Sequence, residues 1–244
     1  MRRQKTKLLL VLCFGVLAGA CQTENVSIMV RALHPLDADC KVDSNAFVGK
    51  GSLNLNASST YLLSVVMESV VLGEDIEGSG GRLLSSEKEN RVVLTEWTRE
   101  IFVYGAAGTS KRVFKESEPL SGILEPNADT QLVVPLSMLS PASAQALKGL
   151  LQQAAGASPG EGLPPPGMEA VVRFQMHGKL MNSGKKLETA PIDFPIFVYL
   201  GEPLPLCLEG QTLAPVGPCS LQGGQDSFVP ICCELDPNSR KCKN

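Results

Sequence analysis

Two histidines, a single tryptophan and no Cys-x-x-Cys pair leave this 244-residue chain poorly equipped for several common chemistries. So few imidazoles restrict acid–base and metal-dependent mechanisms, and the cysteines lack the close spacing and neighbouring histidines of a tetrahedral zinc site. No Gly-x-Ser-x-Gly nucleophile elbow occurs. Gly178 to Lys186 imitates a phosphate loop only in outline. Five residues instead of four separate Gly178 from Gly184, and Lys186 stands where Ser or Thr should hold magnesium. Glu74, Asp75 and Glu77 lack the ligand order of an EF-hand and read as a solvated acidic loop. His34 with Asp37 and Asp39 reads as turn chemistry in a proline-containing loop, and His177, between Gln175 and Lys179, as a solvated strand residue. The expectation is a non-enzymatic protein without metal or cofactor.

Positive charge is also scarce. Lysine and arginine total 22 against 25 acidic residues, and four of those cations, Arg2, Arg3, Lys5 and Lys7, precede the apolar stretch Leu8 to Leu17. Past them, 18 basic residues face 25 acidic ones, a net charge of −7. Such a surface repels nucleic acid, and no basic stripe offsets it. Long hydrophobic runs are missing as well: even Leu8 to Ala20 is shorter than the roughly 20 apolar residues that span a bilayer. A basic start, an apolar centre and the small residues Ala18, Gly19 and Ala20 instead have the three-part layout of a secretory signal over residues 1–20.

Cys21 stands directly after the signal. Ala18-Gly19-Ala20 suits the peptidase of ordinary secretion, whereas small residues directly before a cysteine resemble a bacterial lipobox, although Ala18 occupies the place where leucine is usual. Cysteine arithmetic separates the two. Eight cysteines occur, at positions 13, 21, 40, 207, 219, 232, 233 and 242, and Cys13 leaves with the signal. Seven is an odd number for an oxidising compartment, but lipidation of Cys21 leaves Cys40, Cys207, Cys219, Cys232, Cys233 and Cys242, a set able to form bridges. Adjacent Cys232 and Cys233, with α-carbons about 3.8 Å apart, are too close to pair with each other, since a bridge spans about 4.4–6.8 Å. The other pairings stay open.

Most of the body reads as β-strand. From Ala170 to Leu180 one side collects Val172, Phe174, Met176 and Leu180 and the other Arg173, Gln175, His177 and Lys179, the pattern of a strand with one wet face. Met181 to Lys186 reads as a hairpin turn. The returning strand aligns Ile192, Phe194, Ile196, Val198 and Leu200, while Pro195 removes a ladder donor and points to an edge or a bulge. Earlier strands are expected at 25–33, 46–55, 61–72, 91–104 and 130–136, with a weaker one at 120–124, and Trp97 is expected in the core beside Ile101 and Val103. Strand runs separated by Gly, Asn, Ser and Pro turns predict a mainly β fold, an antiparallel β-sandwich of general immunoglobulin-like architecture.

One short helix is predicted, with Ser140 as N-cap, Pro141 at the first position and a stripe of Leu147, Leu150, Leu151 and Ala154 ending at Gly156, lying as a lid over one end of the sandwich. Gly156 to Gly167 reads as an inserted loop. The sandwich domain is placed at 21–205, against a two-domain alternative divided near 105–110, and a cysteine-rich tail packed on it at 206–244. The signal ending at Cys21, the early Cys40, the paired strands closing in Asp193-Phe194-Pro195-Ile196 and the final Gly217-Pro218-Cys219 and Ile231-Cys232-Cys233 elements together resemble uncharacterised bacterial predicted lipoproteins. The resemblance implies a cell-envelope location and supplies no activity. The expected protein is an interaction module, anchored by lipid on Cys21 to a bilayer, by expectation the bacterial outer membrane, with a protein or surface glycan as partner. A secreted binding protein or inhibitor released after Ala20, and a hydrolase or small-ligand carrier with scattered site residues, are the alternatives.

Overall fold

The computed structural model describes residues 28–36, 40–42, 44–70, 76–77, 83–84, 90–104, 110–126, 131–156, 167–201, 211–213, 225–226 and 232–234. These are mainly β. A three-stranded antiparallel sheet runs in the order β1 (Ile28–His34), β3 (Tyr61–Ser69), β8 (Leu132–Leu139). A six-stranded sheet has the order β2 (Gly51–Asn54), β11 (Ile192–Tyr199), β9 (Gly167–Leu180), β6 (Val92–Tyr104), β7 (Ser110–Leu124), with β10 (Lys186–Glu188) also paired to β9. Two small antiparallel pairs complete the strands, β4 (Ile76–Glu77) with β5 (Leu83–Leu84) and β12 (Gln211–Leu213) with β13 (Cys232–Glu234).

One contiguous set of buried side chains draws on both large sheets: Ile28, Leu63, Val65, Met67 and Met138 from the first, Leu53, Leu94, Trp97, Val172, Phe174 and Ile196 from the second. The period-two alternation of β9 and β11 sets this, since every second residue is carried to the same face. Trp97 lies in the core as expected, 2% exposed.

Three expectations need correction. The sheets are not wholly antiparallel, because β2 runs parallel to β11, Ile196 opposite Gly51 and Tyr199 opposite Asn54. Strand β1 pairs in one sheet and β2 at the edge of the other. Residues 120–124 are the end of a 15-residue strand, β7, whose charged first half lacks an apolar face. Strands β6 and β7 pair with each other from Val92–Leu124 to Tyr104–Ser110. Pro195, read as an edge or bulge residue, belongs to a strand with neighbours on both sides, but β2 begins to pair only at Ile196, so the missing N–H lies just outside that ladder.

Helix α1 (Pro141–Gly156) is capped as anticipated: the Ser143 amide donates to Ser140 Oγ at 3.3 Å. Its buried stripe is Ala144, Leu147 and Leu151, whereas Leu150 is half-buried and Ala154 exposed. Leu150 flanks that stripe, and Ala154, three residues past Leu151, falls in the last turn of the helix. No helix among the described residues is long and apolar enough to cross a membrane.

The tail returns to the body at Gln225 and Asp226. The Gln225 side chain accepts from the Leu62 amide at 3.0 Å and donates to the Leu62 carbonyl at 2.8 Å, substituting for a strand at the edge of β3. Asp226, at φ 53°, accepts from the Tyr61 hydroxyl and the Ser52 amide, both at 2.7 Å, and its own amide donates to Ser52 O. Two residues thus bind β2 and β3, one strand from each large sheet. Gly51 makes this approach possible, since a Cβ there would collide with the Tyr61 hydroxyl.

Candidate functional site

The described residues form a groove of about 700 Å³ on the outer face of the six-stranded sheet, where β6, β9 and β10 meet. Three local features build it. The β9–β10 hairpin turns through Met181–Ser183 and Gly184, whose φ of 66° is accessible to glycine at little cost. A β-bulge at Thr95 shifts the register of β6 against both β7 and β9, leaving Thr95 and Glu96 exposed in succession. Gly178 lets the bulged strand come close, because a Cβ there would lie 2.9 Å from the Val93 carbonyl oxygen and from a Val92 methyl.

His177 lies at the centre of this groove. Its side chain is 24% exposed, on the solvent-facing side of β9. Nε2 is 3.2 Å from Thr98 Oγ1, and Nδ1 is 3.6 Å from Glu188 Oε2, a separation that gives an ion pair when the imidazole is protonated but not a hydrogen bond. Around it Thr95 Oγ1 donates to the His177 carbonyl at 3.3 Å, and Ser117 Oγ donates to Glu96 Oε2 at 3.0 Å. Lys179 and Lys186 line the groove beside them. Hydroxyl, imidazole and carboxylate stand in a line, yet all three rise from the solvent-facing side of a sheet, and Glu188 is 67% exposed. Such a carboxylate orients an imidazole weakly compared with the buried partner of a hydrolytic triad.

Farther along the same face the charges are matched. Arg173 donates through Nε and Nη2 to the two Asp193 oxygens, both at 2.7 Å, and its guanidinium lies 5.2 Å from the Phe102 ring centroid. This fork holds the Asp193 carboxyl below its ordinary value. Glu100 receives Arg112 and Lys115, each at 2.9 Å, and is lowered chiefly by its bond from Lys115.

A second polar cluster is internal. Arg99, 1% exposed, donates through Nη2 to Glu116 at 2.5 Å and to Glu118, and through Nη1 to the Ser137 carbonyl, while its guanidinium sits 4.7 Å from the Trp97 ring centroid. Ser140 Oγ donates to Glu116, so the helix cap joins the same network. The bond from Arg99 lowers the Glu116 pKa. Tyr61 is shifted the other way: burial, then the neighbouring Asp226 charge, raise its hydroxyl pKa far above the ordinary value. These clusters hold β6, β7, β8 and α1, and β2, β3 and the tail, in place.

The residues singled out in the sequence are dispersed. Cys21, Cys207, Cys219 and Cys242 lie outside the described residues, as do Asp37 and Asp39. Cys40, at φ 64°, is disulfide-bonded. Cys232 and Cys233 fall in β13, opposite Leu213 and Thr212. His34, the last residue of β1, is buried, its Nδ1 2.6 Å from the Ala46 carbonyl and its ring tilted against the exposed Phe47. Among the described residues no three His, Cys, Asp or Glu side chains converge as a metal site. No family model matches this chain, and no curated protein matches it.

Proposed function

We propose that the chain is a non-enzymatic cell-envelope lipoprotein, of the bacterial kind it resembles, whose outer sheet face is a binding surface centred on the groove at His177. In this reading the signal is cleaved before Cys21, lipid on that thiol anchors the protein to the bacterial outer membrane, and the remaining cysteines stabilise the tail by bridges. The two large sheets are read as an immunoglobulin-like β-sandwich. Three contacts support that: the shared core, the Tyr61 ring of β3 at 5.7 Å from Phe194 of β11, and the hydrogen bond from Arg99 of β6 to Ser137 of β8. Division of the first two strands between sheets also suits Greek-key wiring.

The observation that carries the binding role is the groove itself, a concave, mixed-charge site on a hydrogen-bonded sheet. Its partner in this reading is a protein or surface glycan. Metabolic labelling with a lipid precursor tests the anchor: wild type incorporates label and sediments with membranes, and Cys21→Ala loses both. Unlabelled wild type, with Cys21→Ala still localised normally, overturns it and favours the secreted form.

The alignment of Thr98, His177 and Glu188 favours a second reading, a hydrolase. Turnover of an ester or glycoside that Thr98→Ala and His177→Gln both abolish would replace the binding role.

A further inference from the structure

Charge in the groove is sorted by row. Leu180 N–H donates to Lys185 O, and Thr189 N–H to Met176 O, both at 3.0 Å. The alternation of an antiparallel ladder therefore makes Lys179–Lys186 and His177–Glu188 the non-hydrogen-bonded pairs, whose α-carbons stand about 4.5 Å apart with side chains closest. The first row holds two lysines directly opposite each other, an arrangement that destabilises a sheet unless something compensates. Neither lysine forms an ion pair among the described residues, in a chain whose other outer-face cations, Arg112, Lys115 and Arg173, all have carboxylate partners. The second row, two residues or about 7 Å along the strand, aligns Glu96, His177 and Glu188 across β6, β9 and β10. No ion pair among the described residues joins the two rows.

We propose that the groove binds a small zwitterion, with its anionic group over Lys179 and Lys186 and its ammonium between Glu96 and Glu188. The ligand class is a compact molecule carrying the two charges about 7 Å apart, the spacing of the rows. The groove volume of about 700 Å³ lies within the range of about 300–1,000 Å³ usual for small-molecule sites. An anion alone would neutralise the lysine row and approach the carboxylates; an amine alone would do the reverse. Only a molecule bearing both charges satisfies both rows, so selectivity comes from repulsion of each half as well as attraction of the whole. This rests on the reading of the groove as a binding site.

The test is titration of isotope-labelled protein with ε-aminocaproate, followed by the amide shifts of residues 95–96, 177–179 and 186–188, beside caproate as the anion alone and hexylamine as the cation alone. The expected result is saturable shifts confined to the groove and a Kd at least about tenfold lower for the zwitterion than for either half. Lys186→Gln and Glu188→Gln, both at exposed positions, each remove that preference, while Lys115→Gln on the matched part of the face keeps it. Caproate binding as tightly as ε-aminocaproate would overturn the zwitterion assignment and leave the groove a binding site. Absence of saturable shifts with all three probes would overturn both, whatever the outcome of lipid labelling.

Discussion

Replacing Arg99 with methionine keeps most of the side-chain volume but deletes the only positive charge in contact with Glu116 and Glu118 among the described residues. These two carboxylates occupy the same face of β7, two residues apart, and both turn toward the sheet interior. Without the guanidinium they repel each other, the Ser137 carbonyl loses a donor and Trp97 loses its stacked cation. Breaking a buried pair by removing one partner costs about 3–5 kcal/mol. The glutamates are 31% and 39% exposed, so water recovers part of that loss, and the lower end, about 3 kcal/mol, applies. For a body of this size that shifts the melting midpoint by about 6–12 °C. Urea unfolding followed by fluorescence of the single tryptophan is the assay, because Trp97 lies against Arg99 itself. Acid supplies an independent check on the cause. Arg99 depresses the Glu116 pKa in the folded state, so its contribution is fully present above the ordinary glutamate value of 4.5 and disappears as pH falls through the lower folded value. The gap between wild type and Arg99→Met should therefore narrow below pH 4.5. An Arg99→Met protein within about 0.5 kcal/mol of wild type at neutral pH, the range of ordinary surface changes, would refute the reasoning.

Tyr61→Phe removes the hydroxyl that holds Asp226; a loss of about 1–3 kcal/mol is expected, with faster limited proteolysis of the tail as the readout. Ser140→Ala deletes the α1 cap and one donor to Glu116 and should cost about 1 kcal/mol by urea unfolding. If the cost in an Arg99→Met background is the same, the cap and the buried network are independent, contrary to their shared glutamate. Gly184→Ala forces a side chain into the left-handed region at the hairpin tip, a penalty of about 1–2 kcal/mol in thermal denaturation, and Gly184→Asn should recover part of it.

Where one residue decides its own placement, the sequence is readable. Alternation in Ala170 to Leu180 gives the two faces of β9, Ser140 and Pro141 mark the start of α1, and the setting of Trp97 assigns it to the core. Strand β7 escapes because its inward positions carry Glu116 and Glu118, and an acidic residue facing a sheet interior reads as solvent-exposed until its partner Arg99 is known to lie opposite. The docking of Gln225 and Asp226 leaves no local signal, since these two residues become a strand substitute only in contact with Leu62 and Ser52, more than 160 residues away in sequence. The parallel pairing of β2 and β11, strands about 140 residues apart in sequence, likewise leaves no local signal.

The groove depends on one feature that the sequence does carry. Strand β6 buries even-numbered Val92 and Leu94, then odd-numbered Trp97, Arg99 and Ile101. A regular strand cannot bury both sets on one face, because a one-residue slip sends every side chain to the other side. The change of parity therefore requires an extra residue between Leu94 and Trp97, and the bulge at Thr95 provides it. Without that residue, keeping Trp97 and Arg99 inside would turn Val92 and Leu94 out to solvent. With it, the core stays continuous and two consecutive side chains, Thr95 and Glu96, emerge on the outer face. Glu96 then falls into register with His177 and, through β9, with Glu188. The acidic row of the groove is thus a consequence of the same insertion that reconciles the two halves of the strand with a single core.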